Sequence, residues 1–173
     1  MILIALGANL PSPAGPPAAT LNAALARLEQ LGVTILSVSS LYESPAWPDP
    51  AQPVFVNAVA AIGTVFQPVE LLVLLHGVET DFGRLRSAPN APRPLDIDLL
   101  DYDGRILTDG LSLPHPRLAD RSFVLVPLAE IAPDWCHPVT DRGVTELLAA
   151  RPDRAAVKKL VSGRLFCYPP PNP

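Results

Sequence analysis

Arg93-Pro94-Leu95-Asp96-Ile97-Asp98-Leu99-Leu100 alternates apolar residues with two aspartates, the period-two pattern of a strand with one buried face. Both carboxylates therefore project from the same side, roughly 7 Å apart along the chain. Placed so, they repel one another, and Asp is a poor strand former. A cation between them would turn that cost into a binding site, since Mg²⁺ is commonly held by one or two protein carboxylates plus substrate phosphates. The plainer alternative is an exposed strand whose Asp-x-Asp face is merely solvated.

Composition narrows the classes. Apolar residues make up 49% of the chain and charged residues 17%, which fits a globular protein with a core and not a disordered one. At 173 residues a single domain is expected, here over residues 1–168, with a flexible Pro-rich tail at 169–173. A net charge of −4 argues against a general nucleic-acid binder. The longest apolar runs are too short to span a bilayer, so no membrane partner is expected. Cys136 and Cys167 lack ligand-type spacing, and a cytoplasmic protein is the expectation. Basic charge comes from eleven Arg and two Lys, Lys158 and Lys159, with no Gly-rich loop ahead of a Lys. Phosphate handling would then rest on Arg and metal.

In chain order, Ile2–Leu6 reads as a strand and residues 18–31 as a helix with Leu21, Leu25, Leu28 and Leu31 on one face. Residues 33–42 read as a strand. The loop over 43–53 holds Trp47, either a cover for the core or a platform for a ligand. Residues 54–65 read as another strand, with Phe55 and Asn57 on one face. That pair suits a flat heterocycle through stacking and edge hydrogen bonds, or is a core Phe beside a backbone-satisfied Asn. Pro68 opens a helix to Phe82, with His76 and Glu79 three apart on one face. Arg84 and Arg86 lie in the following loop, which resembles a closing lid and equally an ordinary connector. Asp103-Gly104 predicts a hairpin returning along residues 105–108. Residues 123–131 read as a helix, Trp135 as core cover, 143–150 and 155–161 as short helices, and 165–168 as a last strand. Helices and strands do not alternate strictly, so the expected class is α+β, an antiparallel or mixed sheet flanked by helices.

Six segments together resemble the 6-hydroxymethyl-7,8-dihydropterin pyrophosphokinase family. They are Gly7-Ala8-Asn9-Leu10, Tyr42-x-Ser44-Pro45, Phe55-Val56-Asn57-Ala58, Arg93-x-x-Asp96-Ile97-Asp98-Leu99-Leu100, Pro114-His115, and Arg121-x-Phe123-Val124-Leu125-x-Pro127-Leu128 with Glu130-Ile131-Ala132-Pro133. The resemblance implies a ferredoxin-like fold and transfer of the β,γ-diphosphate of ATP to a pterin hydroxymethyl group, leaving AMP, in folate biosynthesis. It implies two Mg²⁺ ions on Asp96 and Asp98. The pterin would lie between Phe55 and Phe123, with Asn57 and the Ser44-Pro45-Ala46-Trp47 segment at its edge. Arg84, Arg86, Arg93, His115 and Arg121 would contact phosphates, with His76, Glu79, Leu99 and Ser112 on the ATP side. Arg86, Arg93, Asp98 and Arg121 are the residues expected to act on the reacting groups. No general base stands out; Asp98, or the metal acting on the hydroxyl, is the candidate. The partners would be these two small molecules, acting on a monomer.

Departures from the family pattern fall around the lid. Pro89-Asn90-Ala91-Pro92 stands where many members carry a Trp and further basic residues, Gly110 where some carry Arg, and Pro116 where an aromatic often follows the His. Trp47 is the candidate replacement for the missing aromatic cover. Two other readings stay open: a different Mg²⁺-dependent phosphoryl or nucleotidyl transferase, and a non-catalytic ferredoxin-like domain.

Overall fold

The computed structural model describes residues 1–47, 49–85 and 91–160. Its elements are β1 (Ile2–Ala8), α1 (Pro17–Gln30), β2 (Thr34–Val38), β3 (Tyr42–Ser44), β4 (Phe55–Gly63), α2 (Pro68–Asp81), β5 (Asp96–Tyr102), α3 (Ser122–Ile131), α4 (Val144–Ala149) and β6 (Lys158–Lys159). The sheet runs β5-β1-β4-β3-β6, with β2 also on β4, and these neighbouring strands pair antiparallel throughout. Crossovers β1-α1-β2 and β4-α2-β5 place β1 and β4 at the centre, as in a ferredoxin-like α+β fold.

Alternation along the strands builds two cores. Ile2, Ile4, Leu6, Ala58, Ala60, Ile62, Ile97 and Leu99 face Leu21, Leu25 and Leu28 of α1 and Leu71, Leu75 and Val78 of α2. Leu3, Ala5, Val59, Ala61 and Leu100 face Val124, Leu125 and Leu128 of α3 and Leu147 of α4. A register shift opposite Leu3 and Ile4 lets β5 turn Leu100 into this second core. Trp135 covers that core, as expected, and donates its indole N–H to Asp101 at 2.7 Å. Glu70 starts α2 by accepting from the Gln67 N–H, and Gly83, with φ of 85°, follows the end of the helix.

Three expectations change. Residues 33–42 form two strands, because the chain leaves the ladder after Val38: the Val59 N–H donates to Ser39 Oγ, and the Ser40 N–H turns out to Glu130. The turn at Asp103-Gly104 forms, both residues at positive φ, but residues 105–108 make no strand along β5. That outer edge is already taken: the Ile97 N–H donates to Glu79 and the Leu100 carbonyl accepts from His115 N. Of the helix expected over 155–161, residues 157–160 are not helical, and residue 161 lies outside the described residues. Pro152–Ala156 is a short 3₁₀ helix, and Lys158 and Lys159 pair with Glu43 and Tyr42, satisfying the free edge of β3. The expected strand at 165–168 and the tail at 169–173 lie outside the described residues.

Candidate active site

α3 and α4 cover only part of the second sheet face, and the site occupies the rest. The register sets one row across four strands: Tyr42 opposite Asn57, Asn57 opposite Gly7, and Gly7 opposite Asp96. In the next row Asp98 lies opposite Ala5. The sheet thus carries Phe55 and Asn57 on β4 beside Asp96 and Asp98 on β5, with a side chain missing between them at Gly7. A Cβ there would lie 3.2 Å from Asn57 Oδ1 and 3.7 Å from the Phe55 ring, closer than the amide oxygen tolerates without moving. Asn57 is buried and donates its amide N–H to Ser44 Oγ at 2.9 Å. Its oxygen is turned toward the Gly7 floor.

Each aspartate is held by arginine. Asp96 pairs with Arg84 at 2.5 Å and with Arg93 at 3.1 Å. Asp98 pairs with Arg121 at 2.5 Å, and His115 Nε2 lies 3.8 Å away. His115 Nδ1 accepts from the Arg117 N–H, so only Nε2 faces the carboxylate. Burial pulls the His115 pKa below its usual value, against the raising effect of Asp98, and the ring is neutral at neutral pH. Arg121 also stacks over the Phe123 ring, 5.5 Å from its centre.

Glu79, buried on α2, fixes the outer edge of β5. It accepts from the Ile97 N–H at 2.7 Å, between the two aspartates, and from Arg84. Burial is the main cause that lifts its pKa from 4.5 to about 7; Asp96 and Asp98 add to the rise, while the Ile97 bond and Arg84 oppose it. Glu79 is therefore a positioning group for the carboxylate strand.

The remaining expected residues take different places. Ala46 is buried beside β3, and Trp47 is 70% exposed, so it is no cover for the core. His76 is exposed one turn before Glu79, and Ser112 is exposed near His115. Leu99 is sealed in the first core, so its side chain cannot meet a nucleotide; only its backbone could. Arg86 lies outside the described residues. Two residues escaped the sequence reading as site components. Gly7 is one. Asn9 is the other: buried, it accepts from the Arg93 N–H at 2.8 Å and donates to the Pro53 carbonyl at 3.1 Å, tying both flanking loops to β1. Both lie in the quoted Gly7-Ala8-Asn9-Leu10 segment, which was the available signal.

Against known families, residues 3–133 match the model of the 7,8-dihydro-6-hydroxymethylpterin-pyrophosphokinase, HPPK. The chain belongs to the HPPK family. It is 39% identical over 148 residues to the 2-amino-4-hydroxy-6-hydroxymethyldihydropteridine pyrophosphokinase of Synechocystis, covering 84% of this chain and 73% of that protein. The like-named protein of Pseudomonas aeruginosa is 40% identical over 153 residues, covering 87% and 91%. The crystal structure of Plasmodium falciparum HPPK-DHPS superposes with a TM-score of 0.67 at 16% identity, over 86% of this chain and 40% of that one. This last likeness supports the fold, with the chain spanning under half of the larger protein. No helix among the described residues is long and apolar enough to cross a membrane.

Proposed function

We infer that this HPPK-family protein transfers the β,γ-diphosphate of ATP to the hydroxymethyl group of 6-hydroxymethyl-7,8-dihydropterin and releases AMP, a step of folate biosynthesis. The observation that carries the reading is the Asn57-Gly7-Asp96 row. It sets a flat, polar-edged floor directly beside paired carboxylates and guanidinium groups. A sugar or lipid acceptor would gain nothing from such a floor.

The donor set suits Mg²⁺. Among the described residues no group of three or more His, Cys, Asp or Glu gathers as a self-sufficient metal cage. Two hard carboxylates on one face are what the ion takes when nucleotide phosphates complete its shell. Asp96 and Asp98 would hold it, as two ions in our reading. Bound there, the metal supplies charge neutralisation for the triphosphate and orientation for in-line transfer.

The protein's own groups do the rest by position. Arg84, Arg93 and Arg121 rest on the aspartates. With phosphates present the same guanidinium forks can turn to phosphate oxygens, where charge builds in the transition state. Neutral His115, with Nδ1 accepting from the Arg117 N–H, donates one hydrogen bond there from Nε2 without adding charge. Phe55 and Phe123 enclose the pterin ring, Asn57 reads its edge, and Asp98 is our candidate to take the hydroxyl proton. Such transfers depend on positioning and electrostatics more than on covalent help from the enzyme. Trp47, with Pro45 and Ala46, lies at the mouth of the slot in this reading. The protein acts as a cytoplasmic monomer on two small molecules. Incubation with ATP, Mg²⁺ and the pterin tests it: AMP formed only with pterin present is expected, whereas ADP would mark an ordinary kinase.

A further inference from the structure

The chain beyond residue 133, where the family match ends, returns to the site. Arg121 is a single extended residue, φ −113° and ψ 100°, between the 3₁₀ turn Leu118–Asp120 and the first turn of α3. The direction of its side chain is therefore set by whatever fixes the turns on either side. Both neighbours are tied to the same distant segment. Ser122, 1% exposed, donates its hydroxyl to Asp153 Oδ1 at 2.6 Å, and Arg151 Nη1 donates to Asp120 Oδ1 at 3.0 Å. Arg151 Nε lies 3.6 Å from Asp153, joining the two ties.

We propose that Asp153 is a positioning residue which, through Ser122, aims the Arg121 guanidinium and the Phe123 ring. The Ser122 tie carries most of the effect, because its donor is buried and its acceptor charged. The Arg151–Asp120 pair joins an exposed carboxylate and contributes less. The depressed Asp153 pKa, caused first by the Ser122 bond, agrees with a tie that persists at neutral pH. This inference rests on the functional reading given above for Arg121 and Phe123.

The test compares Asp153→Ala, Ser122→Ala, the double variant, Asp153→Asn and, as a control, Arg142→Ala, whose exposed side chain pairs with Glu146 one turn along. Small displacements of positioned groups cost large factors in rate. Asp153→Ala and Ser122→Ala should each lower kcat on the order of tenfold and weaken pterin binding measured by calorimetry. The double variant should be no worse than either single one, Asp153→Asn should recover most of the loss, and Arg142→Ala should match the wild type. Unchanged kcat and pterin affinity in Asp153→Ala, or additive losses in the double variant, would overturn the proposal. A wild type that binds pterin but makes no AMP, with binding still weakened in Asp153→Ala, would remove the functional reading and leave the positioning role standing.

Discussion

Replacing Glu79 by Gln removes a titration that the fold imposes on the candidate site. Gln keeps an acceptor for the Ile97 N–H, so the edge of β5 stays tethered. In the folded protein the Glu79 pKa stands at about 7 against 4.5 in a model carboxyl. A raised pKa means the fold favours the protonated acid. Its contribution is thus fully present below pH 4.5 and is lost as pH rises through about 7. At 1.36 kcal/mol per pH unit that interval corresponds to about 3 kcal/mol. Urea unfolding of both proteins in the absence of nucleotide, from pH 4.5 to 8, isolates the effect, because all other titrations are shared. The stability of Glu79→Gln relative to wild type should climb by about 3 kcal/mol across the series, equivalent to roughly 10 °C in melting temperature for a chain of this size. Curves that stay parallel within about 1 kcal/mol would refute the assignment of a burial-raised acid at this position.

Other expectations follow from the same geometry. Asp96→Ala should reduce turnover by at least about a hundredfold with the circular dichroism spectrum unchanged; a near-normal rate would remove the metal assignment. Gly7→Ala forces a methyl against Asn57 Oδ1 and should weaken pterin binding in calorimetry while leaving Mg²⁺-ATP binding intact. Exposed Trp47 should lose fluorescence on pterin addition, and a Trp47→Phe variant should abolish the signal without abolishing turnover. Leu125→Ala empties a fully buried site between α3 and the sheet and should cost about 2–5 kcal/mol in denaturant unfolding.

The carboxylate pair was readable because its signal is local: alternation over Leu95 to Leu99 defines a strand and a face without any other part of the chain. The helices α1 and α2 were readable for the same reason, from leucines at helical spacing and their closing glycines. What the sequence hid depends on partners far away along the chain. Gly7 matters only because sheet register sets it between Asn57 and Asp96. Likewise, nothing in the spacing of arginines tells which guanidinium settles on which aspartate. Residues 155–161 carry alanines and read as helix, yet the unfilled edge of β3 and the Lys159–Glu130 pair draw the chain into a strand. Glu130 itself, accepting from Ser40, Tyr42 and Lys159, stood in a quoted motif with no role until the fold assembled its partners.

The central claim is that a diphosphate, not a single phosphate, passes to the pterin beside Asp96 and Asp98. Tracing ATP labelled in its terminal phosphate tests it most directly, with the products separated after a single turnover with Mg²⁺ and pterin. The account predicts that the label and its neighbouring unlabelled phosphate appear together on the pterin, with AMP as the sole nucleotide product. A pterin carrying one labelled phosphate, with ADP released, would contradict it.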